Sequence, residues 1–70
     1  MTEIPKHQRK IILNELFVKS LPIEVEIHID GQKPIKGFVK NSDDSIIEIE
    51  ESGQISCINI KLIEKLFLNQ

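Results

Sequence analysis

Apolar and charged residues alternate along residues 23–30. The apolar positions of this segment are Ile23, Val25, Ile27 and Ile29. A period of two predicts a strand that buries one face and exposes the other. The Asp30-Gly31 pair that follows predicts a hairpin turn, because both residues suit the positive φ angles of tight hairpins.

Four more short strands are predicted, over about residues 33–41, 45–51, 54–58 and 62–68. Turn-forming residues separate them, including Asn41-Ser42-Asp43-Asp44 and Ser52-Gly53. Gly37, in the middle of the second strand, predicts a sharp bend. The run Leu66-Phe67-Leu68 is apolar on both faces of the last strand, so we expect that strand to pair with a second copy of the chain.

A helix is predicted over about residues 5–20, ahead of the strands. Its main apolar stripe consists of Ile12, Leu13, Leu16 and Phe17, and a smaller stripe consists of Ile11 and Val18. Pro5 suits the first helical turn, and Ser20-Leu21-Pro22 ends the helix. One helix followed by five antiparallel strands predicts a mainly β fold, a strongly bent barrel over about residues 23–68.

With 70 residues, the chain is expected to form a single domain that spans residues 1–70. A core of this size is marginal, so small domains need disulfides, a metal or oligomerisation. The lone Cys57 cannot close an internal disulfide, and we expect it to pack as a small apolar residue. We expect no metal and no cofactor, because Cys57, His7 and His28 lack the spacing of a zinc site. Oligomerisation is the remaining option.

The positive charge is concentrated in the first segment, although the formal net charge is −2. Residues 1–20 hold four cations against two carboxylates, whereas residues 21–70 hold five lysines against nine carboxylates. Copies arranged in a ring would gather this charge on one surface, where Lys6, His7, Arg9 and Lys10 would contact phosphates. Neither a signal peptide nor a membrane span is evident, so we expect a cytoplasmic protein.

The order of elements and several short motifs resemble Hfq, the Sm-like RNA chaperone family. Ile12-Leu13-Asn14-Glu15-Leu16 is similar to the family's helical Phe-Leu-Asn-x-Leu, and Val25-x-Ile27 opens the first strand as in the family. Gly37 and Asp43 match the Gly-x5-Asp core of the first Sm motif. The resemblance covers nearly the whole chain.

This resemblance implies an Sm-like five-stranded barrel capped by the helix, and a homohexameric ring joined through the fourth and fifth strands. It also implies binding of single-stranded RNA in post-transcriptional regulation, with U-rich RNA on the proximal face and A-rich RNA on the distal face. The proximal and pore candidates are Arg9, Lys10, Asp44, Ser45, Asn59 and Lys61. The distal candidates are His28, Lys33, Ile35 and Lys36. Gly37 and Asp43 are expected to be structural.

The chain departs from the family in three places, one of which is the arginine-rich rim after the helix, where this chain has Phe17, Val18 and Lys19. Ile58-Asn59-Ile60 stands where the family has Tyr-Lys-His, and Asp44-Ser45 stands where it has Gln-Phe. These losses favour an alternative, a structural Sm-like ring that serves as a protein-interaction scaffold with little affinity for RNA. For most candidates, an ordinary solvated face or a polar turn is the competing interpretation. No nucleophile–base spacing is evident, so we do not expect an enzyme.

Overall fold

The computed structural model describes residues 1–19, 23–43 and 45–69, apart from the side chains of Leu16 and Phe17. These residues form a helix and six antiparallel strands, which confirms the mainly β class with an N-terminal helix. The elements are β1 (Thr2–Glu3), a 3-10 turn (Lys6–Gln8), α1 (Arg9–Val18), β2 (Glu24–Ile29), β3 (Ile35–Ser42), β4 (Ile46–Glu51), β5 (Gln54–Asn59), a second 3-10 turn (Ile60–Leu62) and β6 (Ile63–Leu68).

The six strands form one sheet in the order β1-β6-β2-β3-β4-β5. The sheet differs from the five-stranded barrel expected from the sequence, because it has a sixth strand and does not close within the described residues. The additional strand is β1, in which Thr2 pairs with Leu68 and Glu3 with Phe67. A two-residue strand carries no periodic pattern, so its existence depends on contacts far along the chain.

The apolar face of the sheet carries the core. Val25, Ile27, Val39, Ile47, Ile49, Ile58, Ile63 and Leu66 are buried there. Ile4, Leu13 and Ile23 join the same cluster from outside the central strands. In β2 and β4 the buried positions alternate with more exposed ones, as the period of two predicted.

Gly37 allows an unusually close approach between neighbouring segments. A methyl group added at this position would overlap the main-chain carbonyl oxygen of Glu50 and lie 2.6 Å from Cγ2 of Ile49. Gly37 lies in β3, which pairs with both β2 and β4. The glycine is therefore required for the space it leaves, whereas the register irregularity of β3 falls between Val39 and Asn41.

The helix begins later than predicted. Pro5 has an extended conformation, with φ −57° and ψ 144°, and precedes the 3-10 turn rather than the first turn of α1. The amide of Gln8 donates to the carbonyl of Pro5 at 2.9 Å, and α1 starts at Arg9. The predicted end of the helix at Ser20-Leu21-Pro22 lies outside the described residues. Ile11 and Val18, the smaller stripe, are exposed.

The last strand is paired on both sides. β6 lies between β1 and β2, and its apolar side chains contact other parts of the same chain. Leu66 is fully buried, Leu68 packs against the core, and the ring of Phe67 lies 5.1 Å from the ring of His28. All three residues of the apolar run 66–68 therefore have packing partners within the same chain. None of the described helices has the length and apolar composition of a membrane-spanning segment.

Candidate nucleic-acid interface

Three separate segments converge near the points where strands β3 and β5 end. They are the beginning of the helical region, the turn between β3 and β4, and the connection between β5 and β6. The amide of Ile60 donates to the carbonyl of Ser45 at 2.9 Å, which joins the last two segments. A cleft of about 90 Å³ opens beside them. Most of the proximal candidates from the sequence therefore lie close together.

The cleft has an apolar floor and a polar rim. Its floor consists of Leu13, Ile47, Ile60, Ile63 and Leu66. Polar groups around it come from Lys6, Arg9, Lys10, Ser42 and Asp43. The exposed part of the rim carries two lysines and one carboxylate, and an apolar lining with a few polar groups is typical of ligand sites. Ser42 was not a candidate from the sequence, because its position in a turn-forming stretch gave no sign that it would line a cleft.

Asp43 organises the turn between β3 and β4. Its Oδ1 accepts hydrogen bonds from the amide of Ser45 at 2.7 Å and from the amide of Ile46 at 2.8 Å. The amide of Asp43 in turn donates to the carbonyl of Ile46 at 2.9 Å. The two amide donors, led by that of Ser45, hold the pKa of the Asp43 carboxyl below its usual range. Asp44, the neighbouring candidate, lies outside the described residues.

Asn59 begins the short 3-10 turn that leads into β6. Its Oδ1 accepts a hydrogen bond from the amide of Lys61 at 2.9 Å, as in an N-terminal cap. Lys61 and Leu62 are exposed beyond this point, while Ile60 is half-buried against the core. Since the Asn59 oxygen is engaged in this turn, Lys61 is the more accessible candidate of the pair.

Arg9 is buried, in contrast to its basic neighbours Lys6 and Lys10. Only 5% of the residue is exposed, and its guanidinium donates to the carbonyls of Ile63 and Glu64 at 3.0 Å each. Its Nε has no hydrogen-bond partner. Burial lowers the pKa of Arg9, and the negative charge of Glu3 partly offsets this effect. Arg9 therefore fastens the helix to β6 and does not present its charge to a phosphate.

The burial of Arg9 had a signal in the sequence. Arg9 precedes Leu13 by four residues, so both side chains lie on the same face of the helix. Leu13 is 3% exposed and belongs to the core. A basic residue in register with the apolar stripe differs from Lys6, His7 and Lys10, which are exposed. The sequence predicts phosphate contacts for all four residues, because they are grouped by their adjacency in sequence and not by their position around the helix.

The distal candidates are only partly brought together. Glu26 binds His28 through Nε2 at 2.7 Å and Lys36 through Nζ at 3.5 Å, so these two candidates share one face. The hydrogen bond with His28 is the main reason that the pKa of Glu26 is lowered. Ile35 instead packs against the core, and Lys33 lies in the turn between β2 and β3.

Carboxylates are abundant on the face of the sheet that lies opposite the core and carries Glu26, His28 and Lys36, here called the outer face. Glu26 already engages both His28 and Lys36, and Glu50 binds Lys40 at 3.1 Å. Phe38, which pairs with Glu50 across the strands, is 44% exposed. These cations of the outer face are thus neutralised by neighbouring carboxylates, which makes them less suited to binding phosphates.

Cys57 does not pack as a small apolar residue, and that expectation was wrong. It is a free, exposed thiol on β5. The reason is that β5 is an edge strand of the sheet, and Ile58 is its only buried residue. Among the described residues, no group of three or more His, Cys, Asp or Glu side chains is placed to hold a metal ion.

Comparison of the chain with protein families, with curated proteins and with solved structures finds no match in any of the three. The resemblance to Hfq therefore rests on the sequence motifs quoted above.

Proposed function

We propose that this protein is the subunit of an Hfq-like ring that binds single-stranded U-rich RNA in post-transcriptional regulation. The observation that carries the proposal is the convergence of three separate polar segments around an apolar cleft. In this proposal β2 to β6 are the five strands of an Sm-like barrel, and β1 is an addition to them. The function is one of binding, with no catalytic step.

The cleft supplies the two interactions that single-stranded RNA needs. A base would lie against Ile60, the partly exposed apolar residue of the cleft, with the core residues Leu13 and Ile47 beneath it. Lys6 at the rim and Lys61 in the adjacent connection would neutralise phosphates, because backbone contacts provide most of the affinity for RNA. Serine hydroxyls at positions 42 and 45 would hydrogen-bond to base edges.

Affinity on this proposal depends on repetition rather than on stacking. The chain has no Trp and no Tyr, so base–aromatic stacking, which is a major source of affinity in many RNA sites, is weakly supplied. A ring presents the same weak site several times, and each bound nucleotide raises the effective concentration of the next. The binding should accordingly depend strongly on salt.

The free edge of β5 supports assembly into a ring. Within the described residues, β5 pairs with β4 only, and its six residues, Gln54–Asn59, carry no charge. Soluble proteins usually protect such edges with lysine, proline or a covering loop. Ile55 is also 60% exposed. An uncharged, unprotected edge is suited to pairing with a strand of a second copy; the number of subunits, six, comes from the resemblance.

A structural ring that holds a protein partner is the competing function. Two observations favour it: Arg9 is buried, which removes one cation from the proposed RNA surface, and the outer face is rich in carboxylates. The same carboxylates disfavour A-rich RNA on that face. For this reason the proposal places U-rich RNA at the cleft and makes the outer-face candidates His28, Lys33 and Lys36 secondary.

Fluorescence anisotropy with a U-rich single-stranded RNA tests the proposed site. The variant Lys6→Gln/Lys61→Gln should bind more weakly. The slope of the logarithm of its binding constant against the logarithm of the salt concentration should decrease in magnitude by about 0.7 for each phosphate that is no longer neutralised. Lys40→Gln/Lys65→Gln is the matched control, since it removes the same charge from outside the cleft. Equal weakening in both variants would show that only net charge matters, and would contradict a site at the cleft.

A further inference from the structure

The N-terminal segment occupies the edge of β6 that lies opposite β2. The amide of Ile4 donates to the carbonyl of Leu66 at 2.8 Å, and Thr2 and Glu3 continue the pairing toward the end of β6. Near the beginning of β6, the guanidinium of Arg9 takes the carbonyls of Ile63 and Glu64. Residues 2–9 thus engage the edge of β6 along most of its length.

The two lateral edges of the sheet consequently differ in how they are covered. β5 presents a six-residue edge with no strand beyond it in the described part of the chain, whereas β6 is covered by a strand of two residues. In head-to-tail pairing, strand β5 of one copy pairs with strand β6 of the next copy. Because β1 occupies the edge of β6, this pairing is possible only after β1 has left.

We infer that residues 2–4 form a displaceable cap, which blocks the docking edge of β6 against strand β5 of a second copy. This inference rests on the proposed ring. The cap is short, since β1 forms two residue pairs with β6, and a strand of the length of β5 can extend beyond them as far as the guanidinium of Arg9. Its advantage is that it belongs to the same chain, which gives it a high effective concentration.

The side chain of Ile4 anchors the cap. Ile4 is 2% exposed and packs in the core cluster, whereas Thr2 and Glu3 are exposed. The competition between β1 and a second copy should therefore depend on protein concentration and on the packing of Ile4. At low concentration the chain remains capped and monomeric, and at higher concentration β5 of a neighbour replaces β1.

The experiment compares a released cap with a locked cap in the full-length chain. Ile4→Ser releases the anchor, and Ile11→Ser is its control, since Ile11 is 60% exposed and lies on α1. For the lock, Glu3→Cys/Phe67→Cys is made with Cys57→Ser, so that one disulfide forms across β1 and β6. Glu3 and Phe67 are Cα partners next to the hydrogen-bonded Ile4 position, where strands approach closely enough for a disulfide.

Sedimentation velocity over a range of protein concentrations gives the midpoint of assembly, and circular dichroism verifies folding. We expect the midpoint to be lower by about tenfold or more in Ile4→Ser and unchanged in Ile11→Ser. The oxidised lock should remain monomeric, and reduction of the same sample should restore assembly. The reduced sample serves as the folded control should Ile4→Ser fail to fold.

Equal assembly of the wild type, the oxidised lock and the reduced lock would overturn the cap while leaving the proposed ring intact. Assembly of none of them at any concentration would overturn both the cap and the ring. Binding of U-rich RNA is measured separately on the oxidised lock, so failure of the RNA site is distinguishable from failure of the cap.

Discussion

The guanidinium of Arg9 donates to the main-chain carbonyl of Ile63 at 3.0 Å, across 54 positions of sequence. A second bond of equal length reaches the carbonyl of Glu64. Hydrogen bonds from a charged donor contribute about 1.5–3 kcal/mol, and buried carbonyls left without a donor incur a further penalty. This one side chain therefore connects the helix to the last strand.

Replacement of Arg9 by Met should lower the free energy of unfolding by about 2–4 kcal/mol, since it removes both donors and keeps much of the side-chain volume. Lys6→Met, at an exposed neighbouring position, should change it by less than about 0.5 kcal/mol. Urea unfolding followed by circular dichroism measures both variants. Equal stability of the two would show that the bonds of Arg9 contribute nothing beyond those of a surface residue.

Gly37 and Gly53 should respond differently to substitution because they are glycines for different reasons. Gly37→Ala should destabilise the protein by about 2 kcal/mol or more, because its methyl group would overlap the Glu50 carbonyl. Gly53 has φ 83° and open space around it, so Gly53→Asn should be nearly neutral, since Asn tolerates that conformation. Thermal unfolding of both variants tests this, and a neutral Gly37→Ala would refute the close approach.

The Asp43 turn should make stability sensitive to acid. The pKa of Asp43 is lower in the folded chain than its ordinary value of 3.8, so the ionised carboxylate favours folding above that pH. This contribution is lost as the pH falls below about 4 and through the folded pKa. Asp43→Asn keeps an acceptor oxygen but cannot titrate.

Urea unfolding at several pH values between about 6 and 3 measures this effect. The stability difference between the wild type and Asp43→Asn should shift against the wild type as the pH falls. Asp43→Ala removes the acceptor for the Ser45 and Ile46 amides, and should be less stable than Asp43→Asn throughout. A difference between wild type and Asp43→Asn that is constant with pH would contradict the lowered pKa.

The uncharged edge of β5 gives a prediction for assembly. Ile55→Lys should prevent association of copies without unfolding the chain, because a charge on an edge strand opposes strand addition. Ile11→Lys is a matched control, since Ile55 and Ile11 are both 60% exposed and Ile11 lies on α1. Light scattering at high protein concentration reports the mass. If Ile11→Lys dissociates the assembly and Ile55→Lys does not, the interface lies on the helix.

The central strands were predictable from sequence because their signals are local. The alternation at 23–30 corresponds to β2 at Glu24–Ile29, and the pair Ser52-Gly53 forms the turn between β4 and β5 with positive φ at both residues. A period of two and a turn-forming pair each act over a few residues, so neighbouring sequence determines them. The same holds for Asp43, whose partners are two and three residues away.

The features that the sequence did not reveal depend on distant residues. β1 exists because Thr2 and Glu3 pair with Leu68 and Phe67, at the opposite end of the chain. From the sequence, the apolar last strand is also expected to be an unpaired edge. The apolar pattern of that strand contains no sign that Thr2 and Glu3, far away in sequence, pair with it. Leu66 is consequently a core residue, and a polar change there would unfold the chain before it tested any interface.

The most direct test of the RNA-binding ring is anisotropy of the wild-type protein with short U-rich, A-rich and mixed single-stranded RNAs at two salt concentrations. We predict submicromolar binding of the U-rich RNA that weakens at the higher salt concentration, with weaker binding of the A-rich RNA. Absence of binding to all three RNAs at either salt concentration would contradict the proposal and favour the protein-scaffold function.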